Sequence, residues 1–312
     1  MALIAGPTAS GKSDLAVALA REIERRGAAN GTRALVINAD SAQVYADLQI
    51  LSARPTLAEM RGIEHRLFGA WDGAEPCSAA DWAHAARREI EHAHLAGIVP
   101  ILVGGTGLYI RTLLDGIAPV PQIRDEVRRE VRAMEPQAAW QALCSEDPER
   151  AAILSQADRA RVMRALEVVR CTGRTLAGWQ ERREGGIGAA IDLHPLILLP
   201  ERSALYERCY LRFERMAQQG AREEVERLLS RRLSPSLPVM RAIGVPQITD
   251  WIQGQLSREE AIAGGQQATR NYAKRQYTWF RRQPPEDWRR VVDESCEIEL
   301  VFGILFRTLG LT

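Results

Sequence analysis

Gly6, Pro7, Thr8, Ala9, Ser10, Gly11, Lys12 and Ser13 have the types and spacing of a phosphate cradle, reading GxxxxGKS directly after the apolar run from Ala2 to Ala5. A strand that feeds a glycine-bearing turn points backbone N–H groups inward, and the helix that follows adds its positive end. Lys12 then supplies a cation to the distal phosphates, and the Ser13 hydroxyl is the expected Mg²⁺ ligand. The cradle recognises oxygens and charge. A nucleoside triphosphate is the default occupant, but any diphosphate ester satisfies the same chemistry.

Two further stretches are placed to share that ligand. The run Ala34 to Ile37 reads as a buried strand that delivers Asp40, Ser41 and Gln43 to the same sheet edge, and ligands of open parallel sheets bind at that edge. Asp40 is open between a helix N-cap and a functional carboxylate. The strand Ile98 to Val103 ends in Gly104, Gly105, Thr106 and Gly107, either a plain tight turn or one whose Thr106 donates to a phosphate held opposite. An ordinary NTPase carries a metal-shell aspartate at such a strand end. Glycine at this position argues against that class.

The elements that position these residues form an α/β pattern. Helices are expected from Asp14 to Arg26 and from the Ser78/Asp81 capping box to about Ala96, as apolar periodicity and cap residues require. From Pro119 the texture changes to short helices, one capped by Asp147 with Pro148 behind it, and no strand pattern appears until Leu196 to Leu199. The expected architecture is a P-loop-type parallel sheet core flanked by helices, over 1–118 and 190–312, with an inserted all-helical domain over 119–189. Helices follow over 203–219 and 221–232. The segment 234–246 reads as connection, a last long helix runs from Ser257 to the Pro284 stop, and the tail after about 291 has no assignable role.

Composition narrows the class. The chain has 312 residues, 46% hydrophobic and 26% charged, ordinary globular material. It has no apolar run of membrane-span length, so a soluble, cytoplasmic monomer with no membrane partner is expected. Cys77, Cys144, Cys171, Cys209 and Cys296 are scattered with no CxxC or ligand-spaced histidine, which reads as reduced thiols and excludes a zinc site. A net charge of +1 does not suggest nucleic acid, but residues 270–290 hold seven Lys/Arg against two carboxylates. There Arg270, Tyr272, Lys274, Arg275, Tyr277, Trp279, Phe280, Arg281 and Arg282 interleave cations with flat rings, a pattern suited to phosphates and unpaired bases of folded RNA. The alternative is that the rings pack on the sheet. Arg161 and Arg164, three apart on a charged helix, are open between a solvated face and an RNA contact.

Six segments in order, GPTASGKS, DSAQVY from Asp40, IEHRLFG from Ile63, VGGTGLY from Val103, RALEV from Arg164 and TRNYAKRQYTWFR from Thr269, resemble the tRNA dimethylallyltransferases of bacterial type over nearly the whole chain. The resemblance implies a P-loop parallel-sheet core with an inserted helical domain. It also implies transfer of a dimethylallyl group from dimethylallyl diphosphate to the N6 amine of the adenine 3′-adjacent to the anticodon in tRNA. By the same resemblance, Gly6 to Ser13 hold the diphosphate with Mg²⁺ on Ser13, and Lys12, Thr106 and an arginine of the helix after the returning strand, Arg208 or Arg212, assist. Asp40 is the implied base, and Asp40, Ser41, Ala42, Gln43, Thr106, Arg161, Arg164, Lys274, Arg275, Gln276 and Trp279 are the implied contacts to the tRNA anticodon stem-loop. The rival reading is a P-loop small-molecule kinase using ATP, which accounts for Lys12, Ser13 and Asp40 but gives the basic, aromatic helix no role.

Overall fold

The computed structural model describes residues 1–292 and 297–311, so Cys296 lies outside the described residues. Six short strands build one sheet, β1 (Ala2–Ala5), β2 (Arg33–Asn38), β3 (Glu64–Arg66), β4 (Ile98–Gly104), β5 (His194–Leu198) and β6 (Arg289–Val291), in the order β3-β2-β4-β1-β5-β6. Every neighbouring pair is parallel. The chain leaves β1, skips one place to β2 and later returns to fill the gap with β4. The carboxyl ends of β1, β2 and β4 therefore lie side by side, with Ala5 beside Gly104 and Asn38 beside Val103. Where strand order reverses in this way a crevice opens at the sheet edge.

The central strands are apolar at successive positions because both sheet faces are covered. Side chains alternate between the faces. Ala2, Ile4, Val36, Ile101, Val103, Leu196 and Leu198 share one core with Leu15, Leu19 and Ile23 of α1 (Lys12–Arg26). Helix α2 (Leu57–Met60) is a single turn closed by a Thr56/Glu59 capping box. Helix α3 (Ala79–Leu95) begins with the Ser78/Asp81 capping box that the sequence predicts and packs on β4 and β2 through a face that includes Trp82, Ala86 and Ile90. Helix α4 spans Gly107–Asp115.

The chain divides into two compact units, one of residues 1–112 and 190–312 and one of residues 113–189. The second starts at Leu113, ahead of the expected Pro119, because Ile117 and Glu184 pair across a β-bridge that closes its base. It holds α5 (Asp125–Ala133), α6 (Pro136–Glu146), α7 (Pro148–Ile153), α8 (Arg159–Thr172) and α9 (Leu176–Gln180). Their core is Val127, Val131, Leu143, Val162 and Leu166. Asp147 caps α7 by accepting from the Arg150 N–H at 3.1 Å, with Pro148 in the first turn.

In the first unit the chain continues through α10 (Arg202–Gln218), α11 (Ala221–Ser230), α12 (Val245–Ile252), α13 (Arg258–Arg282) and α14 (Ile298–Thr308). Helix α13 lies close against α10 because its inward face is small: a Cβ on Gly265 would sit 1.9 Å from the Phe213 ring. The segment expected to be connection contains a 3-10 turn over Pro238–Arg241 and the start of α12, since a proline in the first turn lacks only an N–H that would have had no intrahelical partner.

The tail has a definite place, contrary to expectation. Strand β6 extends the sheet beside β5, and α14 inserts Phe302, Leu305 and Phe306 into the core beneath α1. Arg26 of α1 lies over the Phe306 ring, 4.3 Å from its centroid, and pairs with Glu299. A strand of three residues and a helix kinked at Phe302 give no clean periodicity, so the sequence alone does not reveal either. Phe306→Ala is expected to lower unfolding stability by about 3–5 kcal/mol through the cavity it leaves, whereas Leu300→Ala on the exposed side should stay within about 0.5 kcal/mol. Urea unfolding of the two variants checks this, and equal midpoints would remove α14 from the core.

Candidate active site

The phosphate loop joins β1 to α1 through two left-handed residues, Ala9 at φ 60° and Gly11 at φ 83°. Gly6 admits no side chain, because a Cβ there would meet the Leu198 carbonyl oxygen at 2.6 Å. Lys12 is buried, and its ammonium donates to the Pro7 carbonyl at 3.1 Å. The Ser10 hydroxyl is fully buried with no hydrogen-bond partner, an orphaned group of the kind that a ligand satisfies. Ser13 is exposed at the start of α1.

Above the loop, α10 brings Arg208, Arg212 and Arg215 to a cleft of about 760 Å³ that Lys12, Ser13 and Asp40 also line. Arg212 donates to the Thr8 hydroxyl at 3.3 Å. Burial pushes the Lys12 pKa down from 10.5 to about 8; the Asp40 carboxylate opposes this and the Arg212 charge adds to it. Burial likewise lowers Arg212, again opposed by Asp40. Cations held out of water with so little counter-charge form a strong anion site.

Asp40 sits in a turn fixed from several sides. At the end of β2 the buried Asn38 accepts from the Asp40 N–H at 2.8 Å and donates to the Asp40 and Leu67 carbonyls, each at 3.0 Å. The Trp82 indole donates to the Asn38 carbonyl at 2.8 Å. An Asp40 carboxylate oxygen accepts from the Ala42 N–H at 2.9 Å, closing an Asx turn. No helix begins there, which removes the N-cap alternative. Gly104 presses on this turn so closely that a Cβ would lie 2.2 Å from the Ala39 backbone.

Thr106 bonds the same turn and is not among the residues lining the cleft: its N–H reaches the Ala39 carbonyl at 3.1 Å, and its hydroxyl accepts from the Ser41 N–H at 2.9 Å and donates to the Ser41 hydroxyl at 3.2 Å. Tyr272 of α13 approaches from the other side. Burial chiefly, then the Asp40 carboxylate, raises its pKa, while hydrogen bonds to Thr106 and Ser41 oppose the rise. Gln43 turns its amide onto the Ser52 and Ala53 carbonyls at 3.0 and 2.9 Å. Gln276 also faces inward and is buried, accepting from the Thr8 N–H and donating to the Gly105 carbonyl, both at 2.8 Å. Lys274 and Arg275 are exposed on α13. Trp279 is half-buried, with the Arg111 guanidinium 5.4 Å from its ring centroid and Phe280 edge-on at 4.9 Å.

Lys12, Ser13, Asp40 and Arg208 thus meet in one cleft, with Arg212 joining them. Arg161 and Arg164 lie on α8 of the second unit, paired with Asp158 at 3.2 Å and Glu167 at 3.9 Å. The sequence left Asn38 without a site role, although a polar residue ending an apolar strand is a usable signal for it, and it offered Tyr272 only as a ring for RNA or for packing, not as a neighbour of Asp40.

The IPP transferase family model matches residues 43–283, and the Isopentenyl transferase model matches residues 1–70. A tRNA dimethylallyltransferase of Erythrobacter litoralis is 60% identical over 307 residues, which is 98% of this chain and 96% of that protein. One of Novosphingobium aromaticivorans is 67% identical over 276 residues, 88% of this chain and 98% of that protein. The chain belongs to the tRNA dimethylallyltransferase family. The crystal structure of the full-length tRNA isopentenylpyrophosphate transferase of Bacillus halodurans superimposes with a TM-score of 0.69 at 31% identity, covering 99% of this chain and 96% of that one. A eukaryotic dimethylallyltransferase acting on tRNA gives 0.75 at 27% identity, over 90% of this chain and 69% of that one. The kinase reading has no support among these relatives and is set aside.

For a dimethylallyltransferase site the depressed Lys12 has a measurable consequence. In the free protein Lys12 begins to lose its proton near pH 8, while a bound anion favours the charged form. Affinity for inorganic diphosphate is therefore expected to fall as pH rises past about 8, with proton uptake on binding there, and Lys12→Met should abolish the uptake. Calorimetry in buffers of different ionisation enthalpy checks this. The sign for stability is opposite: an unfolded chain keeps the proton to about pH 10.4, so Lys12 alone makes the ligand-free fold more stable as pH rises through that window.

Proposed function

We propose that the Asp40 carboxylate and the phosphate loop of this tRNA dimethylallyltransferase act on the two ends of one displacement. The dimethylallyl group passes from dimethylallyl diphosphate to the N6 amine of the adenine 3′-adjacent to the anticodon. The N6–carbon bond forms, the carbon–oxygen bond to diphosphate breaks with its electron pair, and the N6 proton goes to Asp40. Adenine N6 is a weak nucleophile because its lone pair is delocalised into the ring. Attack therefore needs proton removal at one end and leaving-group stabilisation at the other. Lys12 and Arg212 provide the second through charge that burial leaves only partly compensated, and Arg208 lines the same cleft.

The loop N–H groups and the Ser10 hydroxyl orient the diphosphate. The exposed Ser13 hydroxyl is the group that would hold a Mg²⁺ ion, which would offset diphosphate charge. Among the described residues no group of three or more His, Cys, Asp or Glu could form a protein cage, consistent with a metal carried mainly by phosphate oxygens and water. A stacked adenine cannot reach a carboxylate this enclosed, so the nucleotide must swing out of its stack. Exposed Lys274 and Arg275 are suited to the loop phosphates, and Arg161 and Arg164 to RNA carried by the second unit. Among the described residues no helix is long and apolar enough to cross a membrane; we place the reaction in the cytoplasm, performed by single chains.

The observation that carries this reading is Asp40 lining the same cleft as Lys12 and Ser13. Asp40→Asn keeps the acceptor for the Ala42 N–H, so the turn and both substrates should be retained. Single-turnover transfer of labelled dimethylallyl to tRNA should fall by about 10² to 10⁴, with thermal unfolding unchanged. Near-normal transfer by this variant would exclude Asp40 as the base. Label entering tRNA from ATP instead would exclude the reaction.

A further inference from the structure

The cleft wall facing the phosphate loop is built by residues 49–56, of which Gln49, Ile50, Ser52, Ala53 and Arg54 line the cavity and only Thr56 belongs to a helix cap. Ala53 is left-handed at φ 50°. The segment's later donors are satisfied within it, the Ala53 N–H by the Ile50 carbonyl at 2.8 Å and the Arg54 N–H by the Gln49 carbonyl at 3.0 Å, so the N–H groups of residues 49–51 are the ones that need partners from elsewhere. Those partners converge on one side chain. The Glu224 carboxylate of α11, 2% exposed, accepts from the Gln49 and Ile50 N–H groups at 2.7 Å each through one oxygen and from the Leu51 N–H at 2.9 Å through the other.

The constraint spreads from there into the cavity. With its backbone fixed, the Gln49 amide donates to the Arg54 carbonyl at 2.6 Å and accepts from the Arg54 guanidinium at 2.7 Å. The Ser52 hydroxyl closes onto the Leu48 carbonyl at 2.7 Å. Two turns beyond Glu224, Arg231 pairs with Asp47 and Asp72 and anchors the start of the same segment. The wall faces Lys12, Arg208, Arg212 and Arg215, whereas Lys274 and Arg275 are not among the cleft residues.

We infer that Glu224 is a positioning residue for the prenyl diphosphate: it holds the 49–54 wall at the distance from the phosphate loop that the bound diphosphate requires. The inference rests on the prenyl-transfer reading for the identity of that substrate, but its binding test does not. The geometry needs two acceptor oxygens. An amide at position 224 presents one oxygen and one NH₂, and the NH₂ would face the Leu51 N–H, donor against donor. A buried donor left in that state displaces the segment that carries it.

Three proteins are compared, the wild-type chain, Glu224→Gln and Glu224→Asp, with Asp keeping both oxygens on a shorter stem. The readouts are the affinity for inorganic diphosphate by calorimetry and the separate KM values for dimethylallyl diphosphate and tRNA, with kcat and the unfolding temperature. For Glu224→Gln, diphosphate affinity should weaken and the KM for dimethylallyl diphosphate should rise, each by about tenfold, a change equivalent to about 1.4 kcal/mol. The KM for tRNA and kcat should stay within about twofold, and Glu224→Asp should recover part of the loss. Unchanged diphosphate affinity in Glu224→Gln would overturn the inference. So would equal losses in both KM values and kcat alongside a lower unfolding temperature, which is the pattern of a carboxylate that merely stabilises the fold. If the wild-type chain bound diphosphate but transferred no dimethylallyl group, the functional reading would fail while the Glu224 result stood.

Discussion

Gln276 fixes the distance on which the site depends. Its amide accepts from the Thr8 N–H in the phosphate loop and donates to the Gly105 carbonyl in the loop after β4. These loops leave adjacent strands, so the sheet already brings them near, and the Gly6 N–H bonds the Gly104 carbonyl at 3.3 Å. The sheet alone does not set the angle of the loops beyond their strand ends. A buried amide with both ends engaged does, since losing either partner leaves a polar group unsatisfied. Gly104 completes the arrangement from the other side, lying against the Ala39 backbone and so tying the Asp40 turn to the strand between it and the phosphate loop.

That fixed frame explains why charge in the cleft is arranged at so unfavourable a resting state. Lys12 and Arg212 are both lowered by burial, and Asp40 opposes the shift in each. Cations whose burial outweighs the attraction of nearby carboxylates are under-compensated, and mobile side chains would swing out to water. Here they do not: Lys12 is bonded to the Pro7 carbonyl and Arg212 to the Thr8 hydroxyl. A diphosphate therefore meets donors already oriented, and it adds counter-charge to that of Asp40 and, for Arg212, of Glu59 and Asp14. Electrostatic stabilisation is most effective where the dipoles and charges need no rearrangement as the leaving group develops its charge.

What could be read from the sequence follows from how local each signal is. The phosphate loop is contiguous, so eight residues with one strand before and one helix after were enough, and capping boxes at Ser78 and Ser257 were legible for the same reason. Asp40 could be placed on the ligand edge but not distinguished from a helix cap, because that choice depends on whether the next residues form a helix, and they close an Asx turn. Gln43 and Gln276 were expected to face RNA. A polar residue gives no sign of its direction: Gln43 lines the cleft and bonds carbonyls of its own loop, and Gln276 turns inward to the loops after β1 and β4. Glu224 gave no signal at all, since a glutamate in a charged amphipathic helix looks solvated until the loop of residues 49–51 is folded against it. Strand β6 was missed because three residues gain their strand character from the neighbour they pair with.

Helix α13 serves several of these contacts at once, because its faces have different obligations. Gly265, Thr269 and Ala273 are small enough to let it lie against α10, the helix that carries Arg208 and Arg212. On the turn after Ala273, Gln276 braces the phosphate loop, while Tyr272 reaches Thr106 and Ser41 beside Asp40. Lys274 and Arg275 stand between those two residues and face water. The exposed cations proposed to meet RNA and the brace for the phosphate loop are therefore one or two residues apart on a single helical turn, about 1.5 Å of rise per residue. The proposed RNA contact at Lys274 and Arg275 would be registered against the phosphate loop by the helix itself, because Gln276 on the same turn bonds the Thr8 N–H.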